Sequence, residues 1–235
     1  MLNVAYNMDC MDAMRAMHDG AFDLAIVDPI YGDVTAGGYI TGKSRGGVGP
    51  HPRHHDAIWA QPKTGQDYFQ QLFRVSKHQI IWGGNYFAAE IGRDSQCWIV
   101  WDKCHPDGIK FADAELAWTS FDSCTKIFRF MWNGMCQGKS ISEGTVMQGN
   151  KALNEQRIHP TQKPVALYTW LLQRYAKPGW KILDTHLGSG SSRIAAYDLG
   201  SDFVGYEIDP HYFAAQEKRF TDHTAQMTLF VQEEK

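Results

Sequence analysis

A strand, a glycine turn, a helix and a second strand follow one another between residues 180 and 207, and this pattern constrains the fold most. The first predicted strand, Trp180–Leu183, is apolar except for Lys181, and the turn that begins at its end reads LDTHLGSGSS. The helix is predicted over Ser192–Leu199 and the second strand over Phe203–Tyr206. Strands joined through a helix lie parallel, so this unit belongs in a parallel sheet.

The same alternation of strands and helices extends upstream. Residues 1–33 are predicted as strand, helix and strand, and a helix near Asp67–Val75 leads to strands at Gln79–Trp82 and Cys97–Trp101. Pro164 opens another helix, in which apolar residues recur with a period near 3.6. The order predicts an α/β fold: a doubly wound, mainly parallel sheet with helices on both faces.

The length of 235 residues fits one domain, with two segments that lack this regularity. Residues 34–65 hold many glycines and histidines, and we predict a mobile loop there. Residues 102–158 mix short aromatic runs with glycine and asparagine, and we predict a small insertion. The single domain therefore spans 1–235, with these two segments inside it.

Composition excludes several other classes of protein. No run of 18 apolar residues is present, so no membrane span is predicted. Five cysteines without a CxxC spacing favour neither a disulfide framework nor a zinc site, which predicts a reducing cytoplasm. The start of the chain lacks the basic and apolar segments of a signal peptide.

The charge distribution is more informative than the net charge of −3. Residues 1–33 hold one base and six acids, a net charge of −5, whereas residues 34–63 hold four bases and one acid, a net charge of +3. An acidic segment is thus followed by a basic one. On charge alone, a solvated surface loop and an anion-binding loop are equally good interpretations.

The glycine turn predicts a nucleoside cofactor. Gly188 and Gly190 allow a tight bend that exposes backbone N–H groups beside the start of a helix. Glu207 ends the next strand about 20 residues later, where a carboxylate accepts hydrogen bonds from ribose hydroxyls. Arg193 occupies the third glycine position of a dinucleotide fingerprint, which disfavours a dehydrogenase. A dehydrogenase and an S-adenosylmethionine enzyme are the two competing interpretations of the turn, and the motif DPIY at 28–31 decides between them.

Three motifs carry a resemblance to a known family. The sequence reads DPIY at 28–31, HPTQKP at 159–164 and DTHLGSGSS at 184–192. It resembles the DNA amino-methyltransferases of the permuted β group, which carry DPPY, then a target-recognition region, then HPTxKP and the cofactor glycines. The resemblance implies an S-adenosylmethionine-dependent enzyme that methylates the exocyclic amine of a flipped-out adenine in a short DNA sequence, with residues 102–158 recognising the target.

The resemblance assigns catalysis to Asp28, Pro29, Ile30 and Tyr31. An aromatic amine is a poor nucleophile because its lone pair is delocalised, and the Asp28 carboxylate and the Pro29 carbonyl can accept its hydrogens. Pro29 fixes φ and holds that carbonyl in place. Tyr31 offers a ring for stacking on the extruded base. Ile30 replaces the second proline of the family, so we expect an active enzyme with a looser turn.

The family also implies which residues contact the cofactor. Asp9 would accept from the adenine amino group, Asp184 would meet the methionine end, and Lys163 would bind the methionine carboxylate. Thr161 either joins Lys163 or caps the helix, and His186 either fills the turn or packs beside the methionine part. The full predicted set is Asp9, Cys10, Asp28, Thr161, Lys163, Asp184, His186, Gly188, Ser189, Gly190, Ser191, Glu207 and Asp209.

Contacts to double-stranded DNA are predicted in the basic loop after the catalytic turn. A glycine-rich cationic loop can close over an extruded nucleotide and neutralise phosphates. We predict no metal site at its histidines because this methyl transfer needs no metal. The resemblance also implies pairing into a homodimer. The predicted DNA-binding residues are Lys43, Arg45, Arg53, His54 and His55.

The substrate base is assigned by resemblance alone. In the family, aspartate at the first position of the catalytic motif is more frequent in adenine enzymes, and serine in cytosine enzymes, so Asp28 favours adenine. Three alternatives stay open: a cytosine amino-methyltransferase, an RNA adenine methyltransferase, and a catalytically weak DNA-binding homologue. The sequence does not reveal whether a restriction nuclease accompanies the protein.

Overall fold

The computed structural model describes residues 2–32, 62–105, 112–133, 136–138 and 154–233. Strands and helices alternate over most of this length, as the sequence predicted. In chain order the elements are β1 (Asn3–Asn7), α1 (Cys10–Ala16), β2 (Phe22–Val27), α2 (Gln66–Val75), β3 (Ser76–Trp82), α3 (Ala88–Ile91), β4 (Ile99–Asp102), β5 (Ala114–Thr119), β6 (Lys126–Arg129), β7 (Trp132–Asn133), β8 (Cys136–Gln137), α4 (Val165–Tyr175), β9 (Lys181–Asp184), α5 (Ser191–Asp198), β10 (Asp202–Glu207) and α6 (Pro210–Glu233).

Eight strands form one sheet in the order β1-β10-β9-β2-β3-β5-β4-β6. Strands β1, β10, β9, β2 and β3 pair in parallel, and β4 pairs in parallel with β6. Strand β5 runs antiparallel to both of its neighbours, β3 and β4. Strands β7 and β8 form a separate antiparallel pair. The prediction of a mainly parallel sheet is therefore confirmed.

Helices cover both faces of the sheet, as expected for a doubly wound fold. Alternate residues of a strand point to opposite faces. In β2, Leu24 and Ile26 belong to the core that includes α4 and α5, whereas Ala25 and Val27 belong to the core that includes α1 and α2. Because β2 is buried on both sides, its sequence reads as an uninterrupted apolar run.

Part of the segment predicted as an insertion lies inside the central sheet. Strands β5 and β6 fall within residues 102–158, and β5 separates β3 from β4. Its register sets Trp118 opposite Ile81 and Glu115 opposite Trp101. About half of the remainder of 102–158 lies outside the described residues, as does nearly all of the predicted loop 34–65. An insertion in that remainder and the mobile loop stay predictions.

The strand order places a crevice at the carboxyl ends of β2, β9 and β10. Strand β9 pairs with β10 on one side and with β2 on the other, so their ends meet at one edge of the sheet. In open α/β sheets, ligands bind in such a crevice, where helices leave on opposite sides. Within the described ranges, no helix is both long and apolar enough to cross a membrane.

Candidate active site

Asp28 follows β2 directly, and its carboxylate is held by two donors. The Tyr31 hydroxyl donates to Oδ1, and the Lys163 ammonium donates to Oδ2 at 2.6 Å. A carboxylate can accept about four hydrogen bonds, so acceptor capacity remains after these two. The Asp28 side chain is 16% exposed, which leaves it accessible from the crevice.

The turn after Asp28 is restrained by the chain as it returns at residues 63 and 64. The Thr64 amide donates to the Ile30 carbonyl at 3.0 Å. Gly32 has φ +73°, and a Cβ there would lie 2.9 Å from both the amide nitrogen and Cβ of Lys63. These contacts restrain the turn in a protein that has isoleucine in place of the second proline.

The Tyr31 ring packs closely against Gly83, which follows β3. Gly83 has φ +67°, and a Cβ there would lie 2.5 Å from Cζ of Tyr31, so only glycine leaves room for the ring. The rings of Tyr86 and Phe87 lie 5.2 and 5.7 Å from the Tyr31 ring, centroid to centroid. Sequence reasoning did not identify Gly83, although the pair Gly83-Gly84 directly after a strand was a visible signal.

Lys163 joins Asp28 to a second carboxylate that no motif predicted. Its ammonium lies 3.0 Å from Oε2 of Glu115, whose other oxygen lies 2.6 Å from the Lys103 ammonium. Burial opposes the charge of Lys163, but Asp28 and Glu115 outweigh it and raise its pKa. Burial likewise favours neutral Glu115, yet Lys163 and Lys103 lower its pKa to about 2. Lys163 and Glu115 are therefore both charged at neutral pH.

Glu207 and the glycine turn are joined by backbone hydrogen bonds. The Gly188 amide donates to Oε2 of Glu207 at 2.8 Å, and the Asp209 amide donates to Oε1 at 2.9 Å. Gly188 and Gly190 adopt φ +53° and +73°, which the bend requires. Burial raises the pKa of Glu207. Both carboxylate oxygens are oriented, and each keeps a lone pair for a ligand hydroxyl.

Asp184, at the end of β9, is buried between these two sites. Its carboxylate accepts hydrogen bonds from the Ser192 hydroxyl at 2.5 Å and from the His186 amide at 3.0 Å. Burial raises the pKa of Asp184 to about 7, and the charges of Asp28 and Glu207 add to this effect. Three carboxylates thus end three neighbouring strands, and such a cluster favours a positively charged ligand.

Exposed apolar side chains border the Glu207 end of the crevice. Asn7 of β1 pairs with Glu207 of β10, so Met8 and Ile208 follow at equivalent positions, and both are exposed. Tyr6 is also exposed and stacks on Tyr206 with centroids 5.6 Å apart. Sequence reasoning missed these residues, which provide an apolar surface beside the predicted ribose position.

Two of the predicted cofactor residues, Asp9 and Cys10, have structural roles at the start of α1. Asp9 caps this helix, and its carboxylate accepts from the Met11 amide at 2.8 Å. Cys10 is buried, and burial raises the pKa of its thiol to about 12. Cys10 is therefore a neutral packing group, and any cofactor contact from this segment stays a prediction.

Other predicted cofactor residues have partners within the protein. The hydroxyls of Ser189 and Ser191 are buried and lie 3.0 Å apart, and Arg219 donates to the latter at 3.0 Å. Thr161 is exposed, and its hydroxyl lies 3.2 Å from Nδ1 of His159. The Asp209 carboxylate accepts from backbone amides in the first turn of α6. The predicted contacts of these side chains with the cofactor are not tested by these bonds.

His186 belongs to a short polar chain behind the turn. Its Nδ1 lies 3.0 Å from the Thr185 hydroxyl, which in turn lies 2.6 Å from the Tyr68 hydroxyl. Burial lowers the pKa of His186 to about 4, so the imidazole is neutral at neutral pH. These hydrogen-bonded side chains lie behind the turn, and a contact of His186 with the methionine part of the cofactor stays a prediction.

The predicted DNA-binding residues cannot be placed in this site. Lys43, Arg45, Arg53, His54 and His55 all lie outside the described residues. Among the residues that are described, no group of three or more His, Cys, Asp or Glu side chains could hold a metal ion.

Comparison with known proteins identifies the family. The sequence model of a DNA methylase family, the N6/N4 methyltransferases, matches residues 81–218, more than half of the chain. The chain belongs to this DNA methylase family. The type II methyltransferase M.HinfI of Haemophilus influenzae is 23% identical over 247 residues, which cover 94% of this chain and 69% of M.HinfI. The putative methylase YubD of Escherichia coli K12 is 36% identical over 63 residues, 27% of this chain and 28% of YubD.

Solved structures share the fold of this DNA methylase. The M1.HpyAVI complex with S-adenosylmethionine has a TM-score of 0.56 at 18% identity and covers 93% of this chain and all of its own. TTHA0409 of Thermus thermophilus with S-adenosyl-L-methionine has a TM-score of 0.52 at 15% identity, with coverages of 93% and 95%. The PvuII cytosine-N4 methyltransferase has a TM-score of 0.54 at 12% identity, with coverages of 95% and 91%.

The family assignment confirms three of the sequence-based predictions. The chain is a DNA amino-methyltransferase of the N6/N4 class, and its fold is that of these enzymes. Enzymes of this family depend on S-adenosylmethionine, so the cofactor prediction is confirmed at the level of the family. The target base and the roles of individual residues are not fixed by these comparisons.

Proposed function

We propose that this DNA methylase transfers a methyl group to the exocyclic amine of an adenine that is swung out of duplex DNA within a short target sequence. The observation that carries the proposal is the Asp28 carboxylate, held by Tyr31 and Lys163 at the end of β2, next to the strand that carries the glycine turn. The Asp28 carboxylate and the glycine turn therefore border the same crevice.

The residues of this crevice fit S-adenosylmethionine. The cofactor supplies a methyl group on a positively charged sulfur, which becomes neutral when the methyl group leaves. We assign Glu207 to the ribose hydroxyls and Asp184 to the positively charged methionine end, because three converging carboxylates favour a cation. Met8 and Ile208 would cover the adenine ring with exposed apolar surface.

Asp28 would activate the target amine by accepting one of its hydrogens. This hydrogen bond weakens the conjugation of the nitrogen lone pair with the ring, so the nitrogen can attack the methyl group in line. The Pro29 carbonyl would accept the second hydrogen, and no donor among the described residues occupies it. As the nitrogen becomes positively charged, the Asp28 carboxylate stabilises it, and the methylated amine then releases a proton to water.

The choice of adenine over cytosine rests on Asp28 at the first position of the motif. The fold does not decide the question, because a cytosine-N4 enzyme shares it. Both amines need the same acceptor geometry, so cytosine is the second candidate. Duplex DNA contacts from residues 34–65, pairing into a homodimer and a cytoplasmic location belong to the same proposal.

Mapping modified bases tests the proposal directly. The protein would be expressed in a bacterial strain that lacks DNA methylation, and its genome would be read for N6-methyladenine and N4-methylcytosine. We expect N6-methyladenine within one short motif. If N4-methylcytosine is found instead, the target base is cytosine and the proposal of adenine is wrong. Calorimetric binding of S-adenosylmethionine without any modified DNA would favour the weak homologue. Purified protein that methylates structured RNA in preference to duplex DNA would favour the RNA enzyme.

A further inference from the structure

Glu115 lies in the middle of the sheet, outside every motif that the sequence offers. It belongs to β5, the antiparallel strand, where it pairs with Trp101 of β4. Its carboxylate bridges two lysines, with contacts of 3.0 Å to Lys163 and 2.6 Å to Lys103. Since Lys163 also contacts Asp28 at 2.6 Å, four charges alternate in sign from Lys103 to Asp28.

Lys163 is buried, so its positive charge depends on its carboxylate partners. Its side chain is only 4% exposed, and its ammonium also lies 5.4 Å from the centre of the Trp82 ring. A buried lysine with a single carboxylate partner would offset the whole negative charge of that carboxylate. Here Glu115 takes a share of the Lys163 charge, so Asp28 is oriented by the lysine without being fully neutralised by it.

We propose that Glu115 is a positioning residue for methyl transfer: it holds Lys163 between two carboxylates and so preserves the orientation and acceptor strength of Asp28. This inference rests on the proposed function of Asp28. It also gives Lys163 a role in orienting a catalytic carboxylate, in addition to the cofactor contact predicted from the sequence.

The charge that develops during the reaction explains why Glu115 matters. Methyl transfer moves a positive charge onto the target nitrogen, beside Asp28. Asp28 stabilises that charge only from the correct position. Without Glu115, the Lys163 ammonium can move onto Asp28 alone, and a displacement of the Asp28 carboxylate by about 1 Å would lower the rate by roughly 100-fold.

The test compares Glu115→Gln with a matched variant, Glu217→Gln. Glu217 also forms an ion pair at 2.6 Å, with Arg193, but it lies on α6, and its hydrogen-bond partners are Arg193 and Gln216 rather than Lys163. We expect Glu115→Gln to lower the single-turnover methylation rate by roughly 30- to 100-fold, because Asp28 is misplaced, while its dissociation constant for S-adenosylmethionine stays within about threefold of wild type. Glu217→Gln should leave both quantities near wild type.

A double-mutant cycle separates positioning from general packing. If Glu115 acts through Lys163, adding Glu115→Gln to Lys163→Met lowers the rate by less than about threefold further, because the two residues belong to one network. Glu115→Asp keeps the negative charge, so its methylation rate should lie between those of Glu115→Gln and wild type. If Glu115→Gln does not fold, Glu115→Asp takes its place in the comparison.

Three results would overturn the inference: equal rates for Glu115→Gln and Glu217→Gln, full additivity in the cycle, or a weakened cofactor affinity that accounts for the whole effect. A wild-type protein that methylates no nucleic acid would instead refute the proposed function. In that case a crystal structure of Glu115→Gln decides the geometric claim. We expect Lys163 to move fully onto Asp28 and turn its carboxylate away from Tyr31, and an unchanged Asp28 side chain would contradict this.

Discussion

The substitution Gly83→Ala tests whether the position of Tyr31 matters for methyl transfer. The added Cβ would lie 2.5 Å from Cζ of Tyr31, about 1 Å closer than carbon atoms normally approach, so the ring must move. Since the Tyr31 hydroxyl donates to Asp28, a displaced ring also releases one of the two donors that orient the carboxylate.

The expected magnitude has two separate sources. A left-handed residue with a Cβ costs about 1–2 kcal/mol, and overpacking costs about 1–3 kcal/mol more. We therefore expect the free energy of unfolding of Gly83→Ala to fall by about 2–5 kcal/mol. A misplaced Asp28 should in addition lower the single-turnover methylation rate by about 100-fold.

Gly179→Ala is the matched control. Gly179 also has a positive φ, +81°, but a Cβ there meets nothing within 4 Å, so only the backbone penalty applies. Urea unfolding and single-turnover methylation would be measured for both variants at a temperature where both are folded. A methylation rate for Gly83→Ala within twofold of that for Gly179→Ala would refute the reasoning that Tyr31 orients Asp28.

Three further predictions follow from other contacts of the site. Ile30→Pro should change the methylation rate by less than about threefold, because the contact between Thr64 and Ile30 already restrains the turn; a tenfold gain would show that the turn limits turnover. The raised pKa of Asp184, about 7, means that the folded apo protein binds this proton more tightly than the unfolded chain. The stability of the apo protein should therefore fall as pH rises from about 4 to 7. Over the same range and toward about pH 8, the affinity for the cationic cofactor, measured by calorimetry, should rise. Asp184→Asn should flatten both trends, and unaltered trends would exclude Asp184 as their origin. Glu207→Gln should weaken cofactor binding by about 10- to 100-fold, through loss of hydrogen bonds to a charged acceptor, and an unchanged dissociation constant would exclude a ribose contact.

Local sequence patterns predicted most of the fold because the corresponding elements are defined locally. The apolar run of β2, the glycine turn before α5 and the periodicity of α4 each mark an element in one stretch of sequence, and the structure has each of them. Strand β5 was different. Its place between β3 and β4 depends on pairing with strands that are distant along the chain, which no local pattern encodes.

The candidate site was predictable only as far as its motifs extend. Asp28 and Lys163 were each identified, but they are 135 positions apart, and their contact follows from the strand order. Glu115 has no motif at all, and its importance appears only when β5 brings it to Lys163. Gly83 was missed for a similar reason, because its constraint is the Tyr31 ring packed against it.

Methyl transfer by Asp28→Ala tests the central claim most directly. The variant would be compared with wild type in a single-turnover assay on DNA that carries the mapped target motif, with cofactor affinity measured in parallel by calorimetry. The proposal predicts a rate about 100- to 1,000-fold lower, with the dissociation constant for S-adenosylmethionine within about threefold of wild type. Wild-type methylation by Asp28→Ala would contradict the assignment of this carboxylate to activation of the amine.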